Sequence, residues 1–393
     1  MKKPSLLYIA NVRMPTEKGH AVQIMNMCAS FAECGVDVTL LVPHRKTPIT
    51  ADPFDYYDVP RTFKIARIFS LDIASRGWWS YWLDTFVFSL GAAFYALRRN
   101  PDTIYSRDSF PLAFISFVRR RGLVFEVHTV RQGFSLARVF KVARIVTITK
   151  AIRDTYAKRF GMAREAWVVE PTGVALRRFE GLPGKLALRS TYGIDRAAFV
   201  IGYAGKLTTM GEEKGITDLF KAFALLAQTI PGVRLLVVGA NVDEVPRLIE
   251  AARMLAIPEE ALVLVGHVEN AEVAKYLVTC DALVMNYPNM EHYARYMSPF
   301  KLFEYMASGV PFVTTDLPSI REVADETMAS FVPPGDHGAL AHALHDIARD
   351  PARASERARL ARIAVAHYDW PARAARILAF VMEPSQLGRK DVG

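Results

Sequence analysis

Two lysines flank a glycine-bearing turn at the start of the second half of the chain. The run Ile201-Gly202-Tyr203-Ala204-Gly205-Lys206-Leu207 reads as a strand entering a turn, and Lys214-Gly215-Ile216-Thr217-Asp218-Leu219 reads as a helix start that Thr217 or Asp218 could cap. Gly205 allows backbone to approach a ligand closely. Amide N–H groups, a helix dipole and two ammonium charges at one place favour an anion, so Lys206 and Lys214 have the makings of a diphosphate clamp. Further on, Ser298-Pro299-Phe300-Lys301-Leu302-Phe303-Glu304 begins a short helix that stops at Gly309 before a buried strand. Ser298 is its expected N-cap and Pro299 its first helical residue, an arrangement that presents amides to a phosphate. Glu304, deeper in that helix, could accept hydrogen bonds from a ribose diol, or it is an ordinary surface glutamate.

These groups need rigid elements to hold them, and the chain has the length for two cores. Its 393 residues, 51% hydrophobic and 23% charged, describe folded domains, with two as the working number. Short apolar runs alternate with helical patterns, first at Leu6–Ala10, Val36–Val42, Thr103–Tyr105, Val124–Val127 and Ile145–Ile148. A second series runs through Phe199–Tyr203, Val233–Val238, Leu262–Val265, Ala282–Met285, Phe312–Thr314 and Ser330–Val332. Such alternation is the mark of βαβ units, so an α/β protein with two doubly wound parallel sheets is expected. The crossing between them falls near Pro171-Thr172-Gly173-Val174, and one ligand cleft is expected beyond the carboxyl ends of the strands.

Three cysteines, Cys28, Cys34 and Cys280, without a C-x-x-C pair argue against a disulfide framework or a structural zinc site and fit a reducing cytoplasm. The apolar run Leu6–Ala10 is too short for a signal-peptide core. The longest apolar stretch, Trp78–Leu97, contains Asp84 and ends in Arg98 and Arg99; it reads as a buried or surface-lying helix rather than a span. Charge is uneven: residues 1–172 carry 25 Lys and Arg against 14 Asp and Glu, whereas the remainder is close to balanced. Clusters such as Arg119-Arg120-Arg121 could meet nucleic acid, an anionic lipid, a phosphate-bearing substrate or solvent alone.

The Gly-Tyr-Ala-Gly-Lys-Leu turn, the following Lys-Gly pair and the segment Ser298-Pro299-Phe300-Lys301-Leu302-Phe303-Glu304 strongly resemble the family-four glycosyltransferases, also called group 1, which have the GT-B fold. The likeness runs from Thr16-Glu17-Lys18-Gly19-His20-Ala21-Val22-Gln23 to Tyr368-Asp369-Trp370. It implies two Rossmann-like domains facing a central cleft and retaining transfer of a sugar from a nucleotide-diphosphate donor. By the resemblance Lys206 and Lys214 bind the diphosphate and Glu304 the ribose. Gly19, Gly205, Ser298, Pro299, Phe300, Lys301 and Leu302 complete the donor side. Phe125-Glu126-Val127-His128 resembles the strand whose terminal histidine lies beside the donor sugar, which makes His128 a catalytic candidate with the two lysines. Arg107 and Arg131 are acceptor-side candidates. One departure stands out, since Tyr296 occupies the position of the first of the family's two glutamates.

The resemblance divides the chain into an N-terminal acceptor-side domain over residues 1–172 and a nucleotide-sugar-binding domain over 173–368. A helix over 369–383 returns to the first domain, and a disordered tail occupies 384–393. No D-x-D pair, P-loop or strand-following G-x-G-x-x-G is present, so no metal or other cofactor is expected and the nucleotide sugar is substrate. The expected partners are that donor, a glycan or lipid-linked acceptor and an anionic membrane surface, without nucleic acid. The location expected is cytoplasmic, peripheral on the inner face of the membrane, in bacterial cell-surface polysaccharide synthesis. A glycosyltransferase-like binding subunit and a sugar-nucleotide epimerase of the same fold remain alternatives.

Overall fold

The computed structural model describes residues 3–73, 77–130, 136, 139–141, 143–209 and 211–382. The tail expected over 384–393 and the candidate Arg131 lie outside the described residues. The chain divides into two compact units, one of Met1–Pro171 with the segment from Trp370 onward, the other of Thr172–Asp369.

The first unit is built on strands β1 (Ser5–Ile9), β2 (Asp37–Pro43), β3 (Lys64–Ile68), β4 (Thr103–Ser106), β5 (Leu123–Val127), β6 (Arg144–Thr147) and β7 (Trp167–Val169). They form one parallel sheet in the order β3-β2-β1-β4-β5-β6-β7. The interior strands β1 and β5 are apolar and buried along nearly their whole length, as a sheet covered on both faces requires. Two strands absent from the expected series are edges. β3 carries Lys64 and Arg67, charges that blunt an open sheet edge, and β7 has only three residues.

The second unit contains β8 (Val200–Ala204), a two-stranded hairpin of β9 (Thr208–Thr209) and β10 (Glu212–Glu213), then β11 (Arg234–Val238), β12 (Leu262–Val265), β13 (Ala282–Met285), β14 (Phe312–Thr315) and β15 (Ser330–Val332). Six of them form a parallel sheet ordered β12-β11-β8-β13-β14-β15. Leu302, Phe303, Tyr305 and Met306 of the helix Phe300–Ser308 belong to one core. Leu219, Phe220 and Phe223 of the helix Ile216–Ala227 belong to the other. The unit closes where its ends meet: Val174 pairs with Asp369, and the Val174 amide donates to the Tyr368 carbonyl at 3.0 Å.

The first unit closes through its last helix, Trp370–Met382, which lies on the helix Gly19–Glu33. Trp370, Ala374, Ile377 and Leu378 form its buried stripe at helical spacing, and Arg373 lies in the same stripe with no exposed surface. A buried guanidinium is tolerable only when paired and fully hydrogen-bonded. Arg373 meets that condition through the Glu126 carboxylate at 2.6 Å, the Pro171 carbonyl at 2.6 Å and the Glu170 carbonyl at 3.0 Å. One turn on, Arg376 grips the Glu170 carboxylate with two nitrogens, at 2.9 and 2.7 Å.

Removing Arg373 alone strands the Glu126 charge in the core. Arg373→Met is expected to cost about 3–5 kcal/mol, and Glu126→Gln with Arg373→Met is expected to be less damaging than Arg373→Met alone. Urea denaturation of the two variants checks this; equal stability of Arg373→Met and the unmodified chain would refute it.

Candidate functional site

Parallel α/β sheets bind ligands beyond the carboxyl ends of their strands, where the strand order reverses. In the second unit the reversal lies between β8 and β13. Gly205 and Lys206 follow β8 there, and Asn286 follows β13. Tyr305 stitches the two strands together: its hydroxyl accepts from the Ala204 amide at 3.1 Å and donates to the Val284 carbonyl at 3.2 Å.

Gly205 has φ +123°, and a Cβ added to it would lie 3.4 Å from Lys301 Cε, so the turn and this lysine are in close approach. Gly215 has φ +81°, and its Cβ would fall 2.0 Å from the Asn286 carbonyl oxygen. Only glycine meets both conditions at that position. Asn286 Nδ2 donates to the Gly215 carbonyl at 2.6 Å, while its buried Oδ1 has no hydrogen-bond partner among the described residues.

Gly215 is also the N-cap of the helix Ile216–Ala227, which corrects the expectation that Thr217 or Asp218 caps it. The Glu213 carboxylate instead accepts from the Thr217 amide at 2.5 Å and the Thr217 hydroxyl at 2.8 Å, so a side chain outside the helix satisfies its first turn. Ser298 is corrected in the same way. Pro299 is the N-cap residue of the helix Phe300–Ser308, and no side chain caps it. The Ser298 hydroxyl accepts from the Thr172 amide at 2.9 Å, and Thr172 Oγ1 donates to the Ser298 carbonyl at 2.6 Å. Phe300 is half-buried. Leu302 is wholly buried in the core, so its side chain is packing rather than ligand contact.

Three lysines come together at this end of the sheet. Lys206 is exposed, Lys214 half-buried and Lys301 buried. Burial and then the charge of Lys206 lower Lys214 to about 8. Lys301 is pushed well below the usual ammonium range by burial and by Lys214, with Glu304 opposing. Its Nζ stands 3.4 Å from the centre of the Tyr203 ring and 5.5 Å from that of Tyr287, so ring faces supply part of the stabilisation that water would otherwise give. None of the three makes an ion pair among the described residues. Glu304 is half-buried, not a fully solvated surface glutamate; burial raises its carboxyl, with Arg178 and Lys301 opposing.

In the first unit the sheet order reverses between β1 and β4. Arg107 follows β4, and its Nη1 donates to Gln23 Oε1 at 3.1 Å on the helix that Gly19 opens. His128 follows β5; its Nε2 lies 3.0 Å from Glu126 Oε1 and 3.3 Å from Gln23 Nε2. Burial and then Arg107 lower His128 to about 4, against the pull of Glu126, so its imidazole is neutral at pH 7. Burial would raise the Glu126 carboxyl, but Arg373 and then His128 hold it well below the usual range. Tyr105 adds a hydroxyl to the same carboxylate at 2.7 Å.

The structure therefore gathers Gly205, Lys206, Lys214, Lys301 and Glu304 in one unit and Arg107 with His128 in the other. Sequence reasoning did not nominate Glu126, Arg373, Gln23, Arg178, Glu213 or Asn286. Two of these carried a signal: Glu126 interrupts an apolar strand, and Arg373 interrupts an apolar helix stripe. Tyr296, where the family's glutamate is expected, ends a π-helical turn, His292–Tyr296, with its hydroxyl 3.1 Å from Glu291 Oε1. Among the described residues, no group of three or more His, Cys, Asp or Glu side chains could hold a metal ion.

Two family models match the chain: Glycosyltransferase Family 4 over residues 18–178 and Glycosyl transferases group 1 over residues 198–350. Glycogen synthase of Mycobacterium tuberculosis is 33% identical over 173 residues, 43% of this chain and 38% of that protein. Phosphatidyl-myo-inositol mannosyltransferase of Mycobacterium leprae is 29% identical over 171 residues, 42% of each chain. The matched segment thus spans about two fifths of these curated relatives. Anabaena HepE, solved in complex with UDP, superposes with a TM-score of 0.71 over 96% of this chain and 99% of its own, at 18% identity. The fold is GT-B, and with both halves matched the chain belongs to the group 1, family-four glycosyltransferases.

Proposed function

We propose that this protein transfers a sugar, with retention at the anomeric carbon, from a nucleotide-diphosphate sugar to a glycan or lipid-linked acceptor in bacterial cell-surface polysaccharide synthesis. The observation that carries the reading is the gathering of Lys206, Lys214 and Lys301, none of them in an ion pair among the described residues, at the reversal point of the second sheet. Holding like charges together costs free energy, and a diphosphate returns it. HepE, of the same fold, is solved with UDP, which favours a nucleoside diphosphate over a simpler anion.

In this reading the donor diphosphate lies against the three lysines and the Gly205 turn, and Glu304 accepts from the ribose hydroxyls. As the bond from the anomeric carbon to the phosphate oxygen breaks, the ammonium groups offset the growing charge, so no metal is needed. Neutral His128, its ring held by Glu126, is the first unit's candidate for a hydrogen bond to substrate. The reaction takes place in the cytoplasm, at the inner face of the membrane. Tyr296 favours one rival, a subunit that binds donor without turning it over, and a transfer assay separates the two.

Lys206→Ala and Lys214→Ala should each lower kcat/KM for donor at least about tenfold, since a charge-assisted contact contributes roughly 1.5–3 kcal/mol, while the melting temperature stays put. Glu304→Ala should weaken nucleotide binding by calorimetry. Unchanged kinetics in both lysine variants would remove the clamp.

The titration of Lys214 gives a second handle. It is charged below about 8 and neutral above, so nucleotide affinity should decline as pH rises from 7 to 9. Lys214→Arg, charged throughout, should flatten that decline. An identical pH profile in this variant and in the unmodified chain would show that Lys214 does not face the diphosphate.

A further inference from the structure

The helix Trp78–Arg99 is built inside out. Toward the protein it turns Asp84, Thr85, Phe88, Ser89, Ala92, Ala93 and Ala96, a set dominated by small and polar residues. Asp84 is fully buried and held by Arg45, Ser70 and the Leu71 amide, so it contributes no surface charge. Trp79, Trp82, Leu83, Phe86, Leu90, Phe94 and Leu97 are all exposed, Trp79 at 78% and Phe94 at 68%. At 100° per residue these seven fall within an arc of about 120°, a single stripe along the whole helix.

The stripe continues onto the neighbouring helix Ser109–Ile115. Trp82 contacts Phe110 at 4.9 Å between ring centres and Phe86 contacts Phe114 at 5.4 Å; beyond them Phe117 is 65% exposed and Val118 is bare as well. Folding alone gives no reason to place two tryptophans, two phenylalanines and three leucines outward on one helix while alanines and serine face in. Contiguous apolar surface on this scale marks an interaction site.

Charge identifies the partner. Residues 85–101 and 109–123 contain no Asp or Glu and five arginines, Arg98, Arg99, Arg119, Arg120 and Arg121. Arg119 is occupied with Asn100 and the Asp102 carbonyl, whereas Arg98, Arg99, Arg120 and Arg121 make no ion pair among the described residues. An apolar stripe with tryptophans at one end and unpaired arginines at the other matches the interface of an anionic bilayer, where rings sit at headgroup level and guanidinium groups meet phosphates. No helix among the described residues is long and apolar enough to cross a membrane. One face of this helix is committed to the protein, so it would lie in the membrane plane.

We propose that the outward face of Trp78–Arg99, extended by Phe110, Phe114, Phe117 and Val118, is a monotopic docking surface that attaches the first unit to an anionic lipid bilayer. It locates the membrane contact of the reading above, yet rests on surface chemistry and not on the donor site.

Co-sedimentation of the full chain with phosphatidylcholine vesicles, with and without about a third phosphatidylglycerol, tests this. Binding should be strong only with the anionic lipid and weaken in salt. Trp79→Ser with Phe94→Ser should lower the partition coefficient at least about tenfold, and Arg120→Glu with Arg121→Glu should do so for anionic vesicles, all at unchanged melting temperature. Equal recovery in the supernatant with and without anionic lipid, or unaltered binding by the Trp79 and Phe94 variant, would overturn the proposal. So would a dimer in light scattering that this variant dissociates, in a chain that ignores vesicles, since the face would then belong to a second copy. Donor turnover is assayed in parallel: vesicle binding without turnover defeats the catalytic reading alone, and turnover without vesicle binding defeats this one alone.

Discussion

The first unit is organised around a charge it cannot expose. Glu126 lies in the middle of an interior strand, and four side chains converge on its carboxylate: Arg373, Tyr105, Gln23 and His128. Three of them arrive from other elements, so the carboxylate fixes the last helix, the first helix and β4 relative to β5. Such a group is more than a stabilising contact, because a well-packed apolar substitute could match its energy while losing that convergence. It also sets the chemistry nearby. The ring nitrogen of His128 that faces Glu126 is held by that carboxylate.

The second unit solves a different problem, gathering lysines that make no ion pair among the described residues. Gly215 lets backbone come close enough for Asn286 to occupy the space a side chain would fill, Gly205 turns the chain at a φ of +123° beside Lys301, and aromatic faces replace the solvent that Lys301 has lost. Glu304 stays near enough to temper the field without pairing with it. Preorganised charge of this kind is effective because nothing must rearrange when an anion arrives.

Much of this was legible in the sequence, for a physical reason. Interior parallel strands such as β8 and β13 are buried on both faces and write themselves as unbroken apolar runs, and the Gly205 turn after β8 is equally plain. The edges of the first sheet carry no such signature, since β3 is interrupted by Lys64 and Arg67 and β7 has three residues, and the β9–β10 hairpin has only two on each side. Pairings across long separations were silent, Glu126 with Arg373 above all. The Ser298 cap misled because a serine before proline offers its hydroxyl equally to any nearby amide, and that of Thr172 takes it. The apolar stretch at Trp78–Leu97 gave its composition but not its direction, since periodicity shows that two faces differ without saying which one the protein covers.

The return of the last helix to the first unit bears on how the chain is made. Arg373 follows Glu126 by 247 residues. At about 5–20 residues per second, a ribosome needs roughly 10–50 s to travel that distance. Throughout that interval the nascent first unit holds an acidic core group without its guanidinium, beside a helix whose buried stripe has nothing to lie on. The second unit, whose ends meet at Val174 and Asp369, has all its residues synthesised first. Although it begins at the N-terminus, the first unit is therefore the last to be completed.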